Sequence, residues 1–324
     1  MSQLRTDAIV DADGTGAPEF TNGLSSQGTI KLDGNYPVGT GNVALGDTAL
    51  DSVQSSGTYN TAIGHIAGTN ITTGIRNTII GGFSGDDLTD ADYNVTLGFG
   101  ALGSDTKGNK SIAIGVDALT AQNFTSSTDT YNVAIGYTAG ASVTTGIGNT
   151  LIGGKTGDAL TDADFNVAVG YLALSADTLG SNSVAVGMNA LQGQNFTSAT
   201  NVYNTAVGHG AGAEVTTGVR NTLVGGLAGD ALTDADFNVA IGMSALTNDT
   251  LGSRSIAIGN LALSSQNFTS ATDNYNIGIG DRAGSSVTTG VQNTLIGGLA
   301  GDALTDADLN VAVGYQALSA DTKG

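Results

Sequence analysis

Several residue types on which a compact enzyme relies are missing or scarce in this chain. Its 324 residues include no cysteine and no tryptophan, only 2 prolines, and 12% charged residues. Without cysteine there are no disulfides or thiolate metal sites, and the scarcity of aromatic and charged residues argues against an ordinary globular domain. No apolar run approaches the roughly 20 residues that span a bilayer, and the N-terminal MSQLRTDAIVDADG lacks the apolar segment of a secretory signal. We therefore expect no membrane insertion.

The charge is strongly one-sided. Acidic residues number 29 against 10 basic ones, which gives a formal net charge of −19. Such a surface repels phosphate backbones, so we expect no nucleic-acid partner. The hydrophobic share of 40% is too high for a disordered chain. The acidity is most simply interpreted as a means of keeping a long exposed body soluble.

Internal repetition dominates what is present. A run of the form Asn-(Val/Thr)-(small or apolar)-(Ile/Val/Leu)-Gly occurs sixteen times, and the spacing between closing glycines settles into 17, 17, 17 and 21 residues. Four units make a 72-residue super-repeat, in which Gly64, Gly136, Gly208 and Gly280 correspond. This regularity predicts a solenoid of about sixteen coils over residues 42–324, preceded by a separate region at residues 1–41.

The unit length selects the kind of solenoid. A helical-pair repeat needs roughly 33 residues or more, whereas each unit here has an alternating run such as residues 166–170 and a second apolar patch such as Ala173-Leu174. Two short strands and two turns per coil predict an all-β parallel β-roll, or β-solenoid. We expect Val167 and Val169 to fill its interior, with Ala168 in a row of alanines on the outer face. The thin core favours an oligomer in which another chain approaches that row closely.

The residue that opens each run is asparagine in thirteen units and serine in three. Stacked in register, such asparagines are expected to form a structural amide ladder that also satisfies turn backbone. The predicted ladder includes Asn132, Asn149, Asn166, Asn204, Asn221 and Asn238.

Two parts of the chain resemble known proteins. The runs at 183–187 (SVAVG) and 255–259 (SIAIG) resemble the head repeats of trimeric autotransporter adhesins, and similar repeats occur in tailed-phage fibres. The resemblance implies a left-handed roll and an intimately packed homotrimer. The coils of 17 or 21 residues are somewhat longer than usual for those adhesins. Residues 4–24 are similar to the openings of phage fibre proteins, which implies attachment to other virion proteins through residues 1–41.

An acidic turn and a glycine step raise two chemical alternatives. Asp230, Asp234 and Asp236, with their copy Asp158, Asp162 and Asp164, cluster oxygen ligands that could hold a structural Ca²⁺. The other interpretation, which we favour, is turn chemistry with local side-chain-to-backbone bonds. The segment from Asn149 to Thr156 lacks the first glycine of a phosphate-binding loop, so Lys155 is expected to be a variable turn residue.

The four extra residues of every fourth coil suggest a loop that could protrude toward a host receptor or surface glycan. Its candidate contact residues are Asn123, Phe124, Asn195, Phe196, Asn267 and Phe268. The alternative, which we favour, is that the phenylalanines fold back to cap the enlarged coil. The two histidines, His65 and His209, follow closing glycines and are expected at the surface, although three copies around a trimer axis could hold an ion.

No nucleophile lies beside a general base in this pattern, and each serine or aspartate is one of several copies, so we predict no enzyme active site and no cofactor. The expected function is a structural virion fibre or spike at the virion surface that supports host adhesion. The alternatives are a bacterial cell-surface adhesin, an extracellular filament subunit and, less favoured, an ice-binding solenoid. The last needs a flat threonine array, whereas Thr-Thr pairs occur once per four coils.

Overall fold

A computed structural model describes residues 38–323, and all regular secondary structure in that range is β-structure. Sixteen three-residue strands form one parallel sheet, and six two-residue strands form three separate pairs. The predicted all-β parallel solenoid of about sixteen coils is thereby confirmed. The predicted attachment region at residues 1–41 lies almost wholly outside the described residues.

The long sheet takes one strand from each coil, in chain order. Its strands are β1 (Val43–Leu45), β2 (Thr61–Ile63), β3 (Thr78–Ile80), β4 (Val95–Leu97), β6 (Ile112–Ile114), β8 (Val133–Ile135), β9 (Thr150–Ile152), β10 (Val167–Val169), β12 (Val184–Val186), β14 (Thr205–Val207), β15 (Thr222–Val224), β16 (Val239–Ile241), β18 (Ile256–Ile258), β20 (Ile277–Ile279), β21 (Thr294–Ile296) and β22 (Val311–Val313). The pairs are β5 (Gly108–Asn109) with β7 (Thr128–Asp129), β11 (Gly180–Ser181) with β13 (Thr200–Asn201), and β17 (Gly252–Ser253) with β19 (Thr272–Asp273).

The register places equivalent residues of successive coils side by side. Ala168 pairs with Leu151 of the preceding coil and with Ala185 of the following one. Backbone bonds continue beyond the strands, because the amide of Gly170 donates to the carbonyl of Ile152 at 2.8 Å. Each coil is thus bonded along most of its length to both neighbours, which gives the described solenoid its one-dimensional regularity.

The second apolar patch of the coil is a turn and not the predicted second strand. Ala173 and Leu174 are fully buried, but Leu174 has a φ of 54°, and a left-handed residue cannot belong to a strand. The amide of Leu174 still bonds the next coil, donating to the carbonyl of Ala190 at 3.0 Å. A second strand forms only where the four extra residues are inserted, as in β5 and β7.

The predicted faces of the strand are reversed in the structure. Ala168 is fully buried, whereas Val167 and Val169 point outward and are half-buried. The interior also receives a leucine from the turn, such as Leu174 at 0% exposure, so in most coils only a small residue fits at the strand centre. The outer face of the sheet therefore carries the branched aliphatic side chains.

Core side chains compensate for one another in size. Leu151 occupies a strand centre that holds alanine in most coils. Glycines stand opposite it: a Cβ on Gly140 would lie 2.8 Å from Leu151 Cδ1, and one on Gly157 would lie 2.8 Å from Leu151 Cδ2. In the next coil Ala168 has a leucine, Leu174, at the place of Gly157. Each coil thus fills the same interior with a different distribution of volume.

The glycine that closes each strand is required by its backbone. Gly170 has a φ of 136°, and a Cβ there would lie 2.5 Å from the carbonyl oxygen of Gly187 in the next coil. Only glycine avoids both the unfavourable backbone conformation and the clash.

Candidate interaction surfaces and buried polar sites

The asparagines that open the strands form one buried column. The amide of Asn149 donates to Oδ1 of Asn132 at 2.9 Å, and Asn149 Oδ1 in turn accepts from the amide of Asn166 at 3.0 Å. Asn149 Nδ2 donates to the carbonyl of Ala163 at 2.8 Å. The same column includes, all fully buried, Asn132, Asn149, Asn166, Asn204, Asn221 and Asn238. These side chains satisfy buried backbone of the adjacent coil, which is a structural role.

A buried carboxylate network interrupts this column once per super-repeat. Asp105 Oδ1 accepts from the amides of Gly108 at 3.1 Å and Phe124 at 3.0 Å, and its Oδ2 accepts from Gln122 Nε2 at 2.6 Å. Gln122 Oε1 accepts from Asn132 Nδ2 at 2.9 Å, which connects the network to the ladder. Burial raises the pKa of Asp105, and these hydrogen bonds oppose that rise.

The network recurs at Asp177 with Gln194 and at Asp249 with Gln266. Sequence reasoning missed it. A signal was present, because these positions hold valine or leucine, such as Val143 and Leu160, in the other coils. A polar residue that recurs in an otherwise apolar core column points to a buried polar site.

The inserted coils do not present their phenylalanines to a receptor. Phe124, Phe196 and Phe268 are only 6–8% exposed, so the receptor-loop hypothesis is wrong for them and the folded-back alternative is correct. The exposed Asn123, Asn195 and Asn267 accept hydrogen bonds from Thr106, Thr178 and Thr250 of the preceding coil. They belong to the regular coil, and in the first insertion the exposed tip is residues 125–127.

The acidic turns separate the carboxylates that the sequence grouped together. Asp234 Oδ1 accepts from Thr217 Oγ1 at 2.7 Å, Asp236 Oδ1 accepts from the amide of Val219 at 2.7 Å, and Asp230 bonds another hydroxyl. Two residues of the copy at Asp158, Asp162 and Asp164 are engaged in the same way. Within residues 38–323 no group of three or more histidines or carboxylates is placed to hold a metal ion. The turn interpretation accounts for these contacts.

Threonines form a longer column than the Thr-Thr pairs of the sequence suggested. Three coils of every four contribute one residue each, namely Thr72, Thr89, Thr106, Thr144, Thr161, Thr178, Thr216, Thr233, Thr250, Thr288, Thr305 and Thr322. The sequence argument against an ice-binding surface was therefore wrong about the arrangement. Several hydroxyls are nevertheless engaged within the protein, as where Thr161 Oγ1 donates to the carbonyl of Thr178 at 3.0 Å.

The outer face of the long sheet is apolar from end to end. The third residue of every strand is Val, Ile or Leu, the first is Val, Ile or Thr, and neither is charged in any of the sixteen strands. At about 4.8 Å per strand this face extends roughly 75 Å and covers several hundred Å². The terminal strand β22 exposes Val311 and Val313 at 75% and 67%. A continuous patch of this size marks an interaction surface. We call it the apolar face.

Beside the apolar face, the residue that precedes each ladder position forms an exposed column of its own. Aromatic residues occupy alternate coils, and Arg or Lys fills several of the coils between them. Arg76 lies over the rings of Tyr59 and Tyr93, with Cζ 5.8 Å and 5.3 Å from the ring centroids. Sequence reasoning missed this column, although alignment on the ladder residue displays it.

The remaining sequence candidates lie at the surface. His65 and His209 are exposed, and His65 Nδ1 lies 3.7 Å from Asp47 Oδ2. Lys155 is an exposed turn residue with a φ of 54°.

Comparisons with protein families, with curated proteins and with solved structures found no match to the chain. Over the described residues, no helix has the length and apolar character needed to cross a membrane.

Proposed function

We propose that this chain is a structural fibre or spike protein of a virion, that three copies assemble through their apolar faces, and that the resulting shaft supports adhesion to a host. The observation that carries the proposal is the apolar face. Its branched side chains belong to a sheet whose other side already forms the core of the roll, so only another chain can cover them.

Stability of the long body supports a mechanical role. Every described coil is bonded to its neighbours through strands, turns and the asparagine ladder, and such a stack resists bending and local unfolding through many small contacts. The buried polar groups described above serve these coil-to-coil contacts.

The number three and the virion location come from resemblance. The SVAVG and SIAIG runs resemble repeats that pack as trimers, and residues 4–24 resemble the openings of phage fibre proteins. In this proposal residues 1–41 attach to other virion proteins, and the repeats project outward. The likeness to adhesin heads keeps a bacterial cell-surface adhesin as the second candidate.

The test is the molar mass of the full chain in solution, measured by light scattering. A trimer is expected, and Val169→Lys with Val186→Lys on the apolar face should give monomers that keep their β-structure by circular dichroism. Thr145→Lys with Thr217→Lys, on the threonine side, is the matched control and should remain trimeric. A wild-type monomer would overturn the assembly, and antibody labelling of purified virions distinguishes a virion from a cell-surface location.

A further inference from the structure

The exposed column beside the ladder carries a regular series of rings. We define the aromatic column as the seven aromatic residues that precede the ladder position in alternate coils: Tyr59, Tyr93, Tyr131, Phe165, Tyr203, Phe237 and Tyr275. Each is between 38% and 59% exposed, although rings of this size are normally buried for their apolar area. All seven have a left-handed backbone, with φ between 53° and 61°, which fixes the column at one corner of every coil.

The spacing of the rings is set by the coils. Two coils at about 4.8 Å each place successive rings roughly 10 Å apart, so that seven rings span on the order of 60 Å in a straight line. A platform of this kind suits an extended polymer with a matching repeat, since one ligand unit can meet each ring. A linear β-linked polysaccharide has a repeat of that kind in its disaccharide unit.

The coils between the rings supply hydrogen-bond donors. They hold Arg76, Lys110, Gly148, Asn182, Arg220, Arg254 and Gln292. Arg254 Cζ lies 4.7 Å from the Phe237 centroid, and Lys110 Nζ lies 5.0 Å from that of Tyr131, so these side chains are held against the rings. Donors beside an aromatic platform are the groups that recognise sugar hydroxyls whose ring stacks on that platform.

The charge of the column argues against a polyanion. Lys110 pairs with Asp129 at 2.5 Å, and Arg254 pairs with Asp273 at 3.0 Å, which neutralises half of its four cations. The chain as a whole carries −19, so a phosphate or sulfate polymer would be repelled along its length. A neutral polymer rich in hydroxyl groups fits both the rings and the charge.

We propose that the aromatic column binds an extended, neutral, β-linked polysaccharide along the fibre axis. Its biological use rests on the proposed adhesion function, but the binding itself does not depend on how the chains assemble. Each ring contributes a weak contact, and seven contacts in line add because the first contact holds the polymer near the next.

The experiment is native affinity electrophoresis of the full chain through gels that contain hydroxyethylcellulose, an extended β-linked glucan. Dextran, a flexible α-linked glucan, and heparin, a polyanion, serve as comparison polymers. We expect retardation by hydroxyethylcellulose alone. The triple variant Tyr131→Gly, Phe165→Gly, Tyr203→Gly should bind at least about tenfold more weakly, since it removes three adjacent stacking contacts.

Glycine is the safe replacement because Gly148 already occupies this column with a φ of 68°. The conservative variant Tyr131→Phe, Tyr203→Phe retains the rings and should bind like the wild type. Equal retardation by dextran, preferential retardation by heparin, no retardation of the wild type, or full binding by the triple variant would each overturn the proposal.

Light scattering on the same samples separates the two proposals. A trimer that does not bind hydroxyethylcellulose overturns only the glycan inference, whereas a monomer that binds it overturns only the trimer. A triple variant whose mass falls while the wild type shows no glycan binding would assign the column to a contact between copies and likewise overturn the glycan inference.

Discussion

Replacement of Asn149 by alanine should open the solenoid at one coil. The side chain is fully buried, its Oδ1 accepts from the amide of Asn166 at 3.0 Å, and its Nδ2 donates to the carbonyl of Ala163 at 2.8 Å. Alanine would leave one backbone donor and one backbone acceptor without partners inside the roll. Each such group costs about 1–3 kcal/mol, so we expect a loss of roughly 2–6 kcal/mol.

This loss should be local, because repeats of a solenoid are stabilised mainly by their neighbours. Hydrogen exchange should therefore accelerate most at the amide of Asn166 and in β9 and β10, and denaturant unfolding should begin at lower concentration. Asn149→Asp should be worse than alanine, since it keeps the acceptor but loses the donor and buries a charge. Asn195→Ala, an exposed residue in the inserted coil, is the control and should change stability by less than about 0.5 kcal/mol.

The reasoning is refuted if Asn149→Ala unfolds like the wild type and the Asn166 amide exchanges at an unchanged rate. That result would mean that water or a shifted coil replaces the missing partners, and that the ladder does not stabilise the stack.

Three further predictions concern the core. Gly157→Ala should destabilise by about 2–4 kcal/mol because of its left-handed φ and its contact with Leu151, and Leu151→Ala in the same chain should recover part of that loss in thermal melts; no recovery would contradict the size compensation. Phe196→Ala should lower stability by about 3–5 kcal/mol in denaturant titrations, whereas an unchanged midpoint would show that the inserted coil packs independently. Burial raises the pKa of Asp249, so the folded state holds its proton to higher pH than the unfolded state, and the stability from that proton is lost as pH rises through the folded pKa. The destabilisation caused by Asp249→Asn should therefore be larger at pH about 3 than at pH about 7, and a difference that does not vary with pH would contradict the assignment.

The period of the sequence predicted the stacking because parallel register leaves little freedom. Once Asn149 and Asn166 are 17 residues apart in equivalent runs, their strands can pair in register only as neighbouring coils. The same alternation could not decide which face is inside. Both faces of the run from Val167 to Val169 are apolar, and the decision depends on Leu174, which a left-handed turn brings into the interior.

The candidate surfaces divide in the same way. The aromatic column was available from the sequence, because Phe165 directly precedes the ladder residue Asn166 in a fixed register. The carboxylate network was not, since Asp105 and Gln122 come from different coils and meet only once the turn direction is known. Separation of Asp234 from Asp236 likewise depends on the turn, which directs the two carboxylates to different partners.

The 72-residue period has a physical cause in the way the coils fill a common interior. Leu151 at a strand centre is accommodated by Gly140 in its own coil and Gly157 in the next turn, and the coil after it returns to alanine at the centre, with Leu174 in the turn. A coil of the Leu151 type stacked on another of its type would set two leucines at adjacent strand centres, while two coils of the other type would leave paired turn leucines. The alternation keeps the volume of the roll constant over its length, and the inserted coil, with its carboxylate network, closes each cycle by replacing apolar side chains with buried hydrogen bonds. A constant cross-section keeps the sixteen strands in line, and a straight, uncharged apolar face is what a second and a third copy need in order to pack along the whole shaft.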